Sequence, residues 1–418
     1  MTNISVAENA LIVGVGLKTE DISEIKESLW ETEELTYAAG ANIIGSLIQI
    51  LHQWSPGTLI GKGKVAEISD LVKETGANLV VVDHSLSGVQ QRNLEDAWET
   101  RVLDRNQLIL DIFAKRARSH EGKLQVELAQ LLDQAPRMVG AWLESHSRLG
   151  GGIGTRGPGE KALETDRRTL RFRVSQIRKE LEEVKRHRRL HRERRRRNET
   201  HRFALIGYTN TGKSTLFNRL TNSEVFVKDM PFATLDPTTR KVELSESQNV
   251  LVTDTVGFIR KLPPQLIDAF EATLEESGDA EVLLHVIDLS SPHRDQQIDT
   301  VLKLVEKFGW QNKPIVHVFN KSDKAPIQEQ FKVKLHPKVF TSALNGDGIE
   351  TLKKKMIEAI NSLRTEVELF IPQEEEYQLY ELAKQGEVLK KEKGTKGTIC
   401  FVALDPHNLR QWHGYRVK

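Results

Sequence analysis

Residues 203–215 read FALIGYTNTGKST: an apolar run, then Gly207 and, after four further residues, Gly212, Lys213 and Ser214, followed by LFNRLT as the start of a helix. A strand, a glycine loop and a helix in that order suit a phosphate. Backbone amides from Gly207 through Tyr208, Thr209, Asn210, Thr211 and Gly212 to Thr215 can converge on one anion at a helix N-terminus. Lys213 would reach the β and γ phosphates of a nucleotide, and Ser214 would ligate Mg2+.

Further patterns follow in the order that a nucleotide-hydrolysing domain requires. LVTDTVG at 251–257 is an apolar strand running into Asp254, Thr255, Val256 and Gly257. Its carboxylate can hold a water of Mg2+, and the Gly257 amide can meet the γ phosphate. PIVHVFNKSD at 314–323 ends a buried strand in Asn320, Lys321, Ser322 and Asp323. A carboxylate at Asp323 can accept from both N1–H and the exocyclic amine of guanine, a donor pair that adenine lacks, which selects GTP and GDP over adenine nucleotides. Ser342, Ala343 and Leu344 follow the strand VFT and suit a backbone N–H aimed at guanine O6. The stretch DMPFATLDPTTR, containing Phe232, Ala233, Thr234, Leu235 and Asp236, must supply the threonine that closes over Mg2+ and the γ phosphate. Position alone leaves Thr234, Thr238 and Thr239 as candidates.

The rest of the chain must position these groups. It has 418 residues with 60 Lys and Arg against 59 Asp and Glu, a net charge of +1, and this length predicts two to four domains. The single cysteine, Cys400, cannot form an intrachain disulfide, and no stretch has the length of uncharged apolar residues that a membrane span needs. A cytoplasmic, monomeric protein is expected, with peripheral attachment to a membrane left open. Residues 1–118 alternate short β-branched runs (LIVGVG, ANIIGSLIQI, NLVVVD) with amphipathic stretches, which predicts a small α/β domain. Within it IGKGK at 60–64 opens a helix, either as a plain turn or with amides facing an anion.

Over 119–200 the period changes. Leu124, Leu128, Leu131, Ala135, Met138 and Trp142, and again Leu170, Val174, Ile177, Leu181 and Val184, recur at alternating intervals of 4 and 3. Two such narrow seams predict an antiparallel helical hairpin, kinked or interrupted at Pro136. Its tip, residues 147–159, holds six glycines together with Arg148, Arg156 and Pro158. That mixture suits a loop that orders against a partner better than a plain linker. Residues 167–202 carry 16 Lys or Arg and 5 Asp or Glu, a local charge of +11. A solvated helix end is one reading; contact with RNA phosphate is favoured, because the acids cannot neutralise the cations. Residues 201–364 then form a Ras-like G domain, and 365–418 a small α+β domain.

The motifs GKGK, GKLQVELAQL, GGGIGTRGPGE, LETDRR, GYTNTGKSTLFN, FATLD, DTVGFIRKLP and NKSD occur in the order found in the HflX family of translational GTPases, within the TRAFAC class of P-loop proteins, and from about residue 10 to 365 the chain resembles that family. It departs from the pattern at Leu149, at Thr211 and over LLDQAPRMVGAW. The resemblance implies Thr234 as the switch ligand of Mg2+. It also implies binding to the large ribosomal subunit and its ribosomal RNA, with the N-terminal region and hairpin loop directed toward the peptidyl transferase centre, and a role in splitting or rescuing stalled ribosomes. In-line attack of water on GTP would then use Lys213, Thr234 and Gly257, with metal ligands Ser214, Thr234 and Asp254. Other readings are a GTPase of ribosome assembly or tRNA modification, and an RNA-binding scaffold with nucleotide as a structural ligand. Asn210 resembles the potassium-ligating Asn of several GTPases, and a plain capping role for it is equally open.

A bidentate, charge-assisted contact of the Asp323 kind is worth on the order of 3 kcal/mol. Asp323→Asn should therefore weaken GTP about a hundredfold and shift preference toward xanthosine triphosphate, as read by nucleotide competition. Unchanged GTP affinity would remove Asp323 from the base site.

Overall fold

The structure is a computed structural model, and it describes residues 8–147, 158–196, 200–222, 231–232, 234–245, 248–261, 278–405, 408–409 and 411–417, with the side chains of 138–147, 158–164 and 187–196 outside the description. Ala233, Arg148, Arg156 and the rest of the glycine-rich tip at 148–157 lie outside the described residues, as does Arg197.

The N-terminal sheet contains β1 (Asn9–Leu17), β2 (Asn42–Leu51), β3 (Leu79–Val82) and β4 (Arg101–Asp104), all parallel, in the order β2-β1-β3-β4. Helices α1 (Ile22–Ala39), α2 (Lys62–Thr75) and α3 (Gly88–Trp98) make the crossovers, and α4 (Arg105–Arg116) follows the last strand. Parallel strands covered on both faces need unbroken apolar runs, which is why Leu79 through Val82 are all buried. Gly61 caps α2 without a side-chain bond and Gly63 lies inside the helix, so IGKGK is a helix entry.

The helical hairpin forms as expected from α5 (His120–Ser147) and α6 (Pro158–Arg196). Leu124 and Leu128 are buried with Val174, Ile177 and Leu181, and Leu131, Leu132 and Leu170 pack beside them. Arg173 grips Glu127 across the seam with two bonds, at 2.6 and 2.8 Å. Met138 and Trp142 fall among the side chains outside the description. Pro136 does not interrupt α5. The helix is held on both sides of it: Leu131 and Leu132 pack in the seam before it, and Arg137 after it bonds Asp104 at 2.6 Å, Gln91 at 2.7 Å and Asp133 at 2.9 Å. The Arg137 backbone also lies so close to α3 that a Cβ on Gly88 would come within 2.7 Å of its carbonyl oxygen.

The G-domain sheet has the order β10-β9-β8-β5-β7-β6, where β5 is Arg202–Ile206, β6 Thr238–Ser245, β7 Gln248–Asp254, β8 Val282–Asp288, β9 Ile315–Asn320 and β10 Lys338–Phe340. Only β6 runs antiparallel to its neighbour. Strand β5 lies between β7 and β8, so the chain leaves its C-terminal end where the strand order reverses, the place at which open α/β sheets bind ligands. Among the described residues this part also holds helices α7 (Lys213–Thr221), α8 (Arg294–Lys307), α9 (Ile327–Lys332) and α10 (Ile349–Asn361). Antiparallel strands β11 (Thr365–Pro372), β12 (Gly386–Lys393) and β13 (Gly397–Leu404) form a third sheet, with α11 (Gln378–Gln385) contributing Leu382 to a core that includes Cys400 and Trp412. The α+β expectation for the C-terminal part holds.

An ionic clasp joins this last sheet to the G domain. His201 bonds Glu281 at 2.6 Å and lies 3.6 Å from Asp405, which Arg364 also approaches at 3.3 Å. Burial alone would lower the His201 pKa, but the bonds to Asp405 and Glu281 and their charges outweigh it and hold it at about 9. A raised histidine pKa stabilises the fold fully below the unfolded value near 6.5, and that contribution disappears as pH rises through about 9. Wild type should therefore lose on the order of 3 kcal/mol between pH 6.5 and 9.5 that His201→Gln never had, which parallel thermal melts across that range would reveal.

Candidate nucleotide and metal site

The ends of β5, β7, β9 and β10 converge on a cavity of about 370 Å3. It is lined by Thr209, Asn210, Gly212, Lys213, Ser214 and Thr215 from the glycine loop, Phe232 and Thr234 from the following segment, Thr255 and Gly257 after β7, Asn320, Lys321, Asp323 and Lys324 after β9, and Ala343 and Leu344 after β10. Each motif read from the sequence thus contributes to one cavity. The loop can take its course only with glycine at two positions. At φ +151°, a Cβ on Gly207 would collide with the Val286 carbonyl oxygen, and at φ +86° one on Gly212 would collide with Asn320 Nδ2.

At the base end Asn320 holds two loops together. Its amide nitrogen donates to Thr211 O at 2.9 Å, and its oxygen accepts from Ala343 N at 2.9 Å and the Thr341 hydroxyl at 3.3 Å. Lys321 pairs with Asp288 at 2.8 Å, Ser322 N donates to Thr341 O at 3.0 Å, and Arg219 donates to Ala343 O at 3.2 Å. Ser342 is fully buried, with its amide on Asp347 O. Asp323 faces the cavity beside Ala343 and Leu344.

At the phosphate end three oxygen groups meet. Ser214 Oγ lies 2.6 Å from Thr234 Oγ1 and 2.7 Å from Asp254 Oδ2, and Thr234 Oγ1 lies 2.8 Å from the same carboxylate oxygen. Of the candidate threonines only Thr234 is brought here: Thr238 and Thr239 belong to β6, where Thr239 bonds Thr253 at 2.9 Å. The second oxygen of Asp254 is buried with no hydrogen-bond partner among the described residues. Burial pushes the Asp254 carboxyl above its usual range, against the bonds from Ser214 and Thr234 and the charge of Lys213. An orphaned carboxylate oxygen beside two hydroxyls is a hard-oxygen donor set that a small divalent cation such as Mg2+ would satisfy. Lys213 donates to the carbonyls of Gly207 at 3.1 Å and Tyr208 at 2.6 Å. Burial lowers its pKa to about 8, with Lys321 acting in the same sense and Asp254 against it. A polyanion in the cavity would restore that charge.

Several sequence-stretch neighbours of these residues point elsewhere. The Tyr208 hydroxyl leaves the site to donate to Glu31 of α1 and accept from Arg260 N at 2.9 Å. Leu235 and Val256 are core residues. The Thr211 hydroxyl closes the loop on itself, donating to Tyr208 O at 3.0 Å. Asp236, expected at the nucleotide, instead faces the start of α5: its carboxylate accepts from the amides of Arg118 and Ser119, the two residues that lead into the helix. A buried cluster around Arg105, with Glu31, Asp83, Thr32 and the Arg260 backbone, braces the glycine loop through Tyr208. Its partners lie up to 155 positions from Arg105, so no spacing in the sequence marks it. The local sign was the run Glu27, Ser28, Glu31, Thr32, a polar stripe at helical intervals that is buried rather than exposed.

A glycine loop between strand and helix, a carboxylate at the end of the neighbouring strand, and an NKSD turn beside it define a P-loop guanine-nucleotide-binding domain. The family described as "GTP-binding GTPase N-terminal" matches residues 26–114, "GTP-binding GTPase Middle Region" residues 116–195, and "50S ribosome-binding GTPase" residues 202–321. GTPase HflX of Lacrimispora saccharolytica is 45% identical over 91% of this chain and 90% of its own. That of Caldanaerobacter subterraneus is 44% identical over 93% and 89%, and that of Escherichia coli 43% identical over 84% and 83%. The chain belongs to the HflX family, and it is a GTPase.

Proposed function

We propose that this GTPase binds the large ribosomal subunit and acts in splitting or rescue of stalled ribosomes, hydrolysing GTP to GDP and phosphate. The observation that carries the hydrolytic part is the meeting of Ser214, Thr234 and Asp254 beside Lys213. Ser214 and Thr234 would hold Mg2+, with Asp254 acting through a bound water, and the ion would neutralise charge on the β and γ phosphates. The chain's own groups do the remainder. Loop amides and Lys213 bind the phosphates, the Gly257 amide meets the γ phosphate, and Asp323 reads guanine while the Ala343 backbone lies beside it.

The side chain directly after Gly257 cannot orient the attacking water. Phe258 occupies that position, is 2% exposed and has no hydrogen-bonding group; its backbone is tied to Gly207 O at 3.0 Å and Thr209 N at 2.8 Å. Another agent must complete the site. Docking on the ribosome is the main one in this reading, supported by the +11 charge of residues 167–202 and by the match of residues 202–321 to the family described as "50S ribosome-binding GTPase". A potassium ion at Asn210, which lines the cavity, would add a smaller gain by offsetting γ-phosphate charge.

Turnover by the isolated chain should be slow and strongly stimulated by large subunits, with a secondary gain in K+ over Na+ that Asn210→Ala removes. Fast turnover in Na+ buffer without ribosomes would contradict it, and stimulation by naked tRNA but not by subunits would redirect the partner. Binding to subunits should also weaken steeply with salt, and changing Arg194 through Arg197 to Gln should flatten that dependence, since each lost phosphate contact removes about one released counterion. Co-sedimentation across a salt series with a nonhydrolysable GTP analogue measures both.

A further inference from the structure

Thr234 and Asp236 are two residues apart and point in opposite directions. Thr234 bonds Ser214 and Asp254. The Asp236 carboxylate accepts from Arg118 N at 3.0 Å, from Ser119 N at 2.8 Å and from the Ser119 hydroxyl, and that hydroxyl accepts from Gly122 N at 2.9 Å. These groups form the entry to α5, the first helix of the hairpin. The carboxylate holds the two residues leading into the helix and the Ser119 hydroxyl that caps its first turn, and it lies at the positive end of the helix dipole. The flanking residues fasten the same segment: Phe232 meets Phe113 edge-on at 4.5 Å between ring centres, and Leu235 is buried in the core with Val126 and Ala129.

The geometry points to Asp236 as a positioning residue for hydrolysis, holding Thr234 over the metal site by anchoring its segment to the N-terminus of α5. The inference rests on the proposed role of Thr234 as the switch ligand. Because the anchor and the ligand share one short segment, closing Thr234 onto Mg2+ and the γ phosphate tightens the first turn of α5. By reciprocity, a partner that stabilises that turn strengthens binding of the triphosphate form by the same factor. GDP, which lacks the γ phosphate that draws Thr234 in, leaves the anchor slack.

Gly122 offers a way to loosen the anchor without harming the helix. A Cβ at this position would come within 2.5 Å of Asp236 Oδ1, while alanine is itself a better helix former than glycine. The test compares wild type, Asp236→Ala, Asp236→Asn, Gly122→Ala and Thr234→Ala by hydrogen exchange of amides 118–124 with GDP or with a nonhydrolysable GTP analogue and Mg2+, alongside the affinities for both nucleotides. Wild type should exchange more slowly with the analogue than with GDP. Asp236→Ala and Gly122→Ala should abolish that difference and weaken the analogue about tenfold, with GDP affinity unchanged, and Asp236→Asn, which keeps one acceptor oxygen, should restore part of both. Wild-type protection and analogue affinity retained in Asp236→Ala would overturn the assignment. So would an equal loss of GDP affinity, which marks a general structural contact. If Thr234→Ala weakens the analogue while Asp236→Ala does not, only the anchor fails; if Thr234→Ala is silent, the ligand reading fails with it.

Discussion

Arg105 carries its charge into the interior at the start of α4, with its side chain 3% exposed. A guanidinium so placed is tolerated only if its neighbours are fixed around it, and they come from separate parts of the chain. Its donors reach Glu31, Asp83 at 3.0 Å, Thr32 at 2.6 Å and the carbonyl of Arg260 at 3.3 Å. Glu31 also receives the Tyr208 hydroxyl, and Arg260 pairs with Glu27. Burial and the Glu31 charge keep the Tyr208 phenol protonated far above its ordinary range. Helix α1, Asp83 after β3 and the segment after Gly257 are thus partners of one buried cation, and the phosphate loop is tied to them through Glu31 and Arg260 N. None of them can shift without exposing a charge to an unpaired environment, a cost of about 3–5 kcal/mol in comparable cases.

This arrangement makes the cavity a product of two regions. Strand order places the glycine loop at the point where β7 and β8 diverge, but order alone leaves the loops after β5 and β7 free to choose their positions. The N-terminal region limits that choice from below, through Glu31 on Tyr208 and Glu27 on Arg260, and α5 limits it from the side, through Asp236. The cavity is lined by G-domain residues, but the loops that carry them are braced from outside by the N-terminal region and by the start of α5.

The sequence disclosed what depends on local spacing. Gly207, Gly212, Lys213 and Ser214 lie within one turn of chain, and the hairpin seam repeats at helical intervals, so both could be read and both form. It could not choose among Thr234, Thr238 and Thr239, because the choice depends on β6 beginning at Thr238 and drawing two of them into a sheet. It also assigned Asp236 to the nucleotide when its partner is Ser119, 117 positions away. A kink or an interruption was expected at Pro136 because the local rule counts only the lost backbone bond; the helix is not interrupted there, since Arg137 and the seam leucines hold it on both sides. For Asp236 the deciding partner was distant, and residue type gave a carboxylate's chemistry without its place.

The length of the hairpin gives its root a mechanical meaning. Helix α5 has 28 residues, which at 1.5 Å per residue is a rod of about 42 Å. It is gripped at one end by Asp236 and a third of the way from the other by Arg137. A tilt of about 5° at the gripped end would carry the far end through about 4 Å, more than the length of a hydrogen bond. Because Arg137 fixes the same helix to Asp104 and Gln91, a tilt at the root reaches the far end only if both grips yield together.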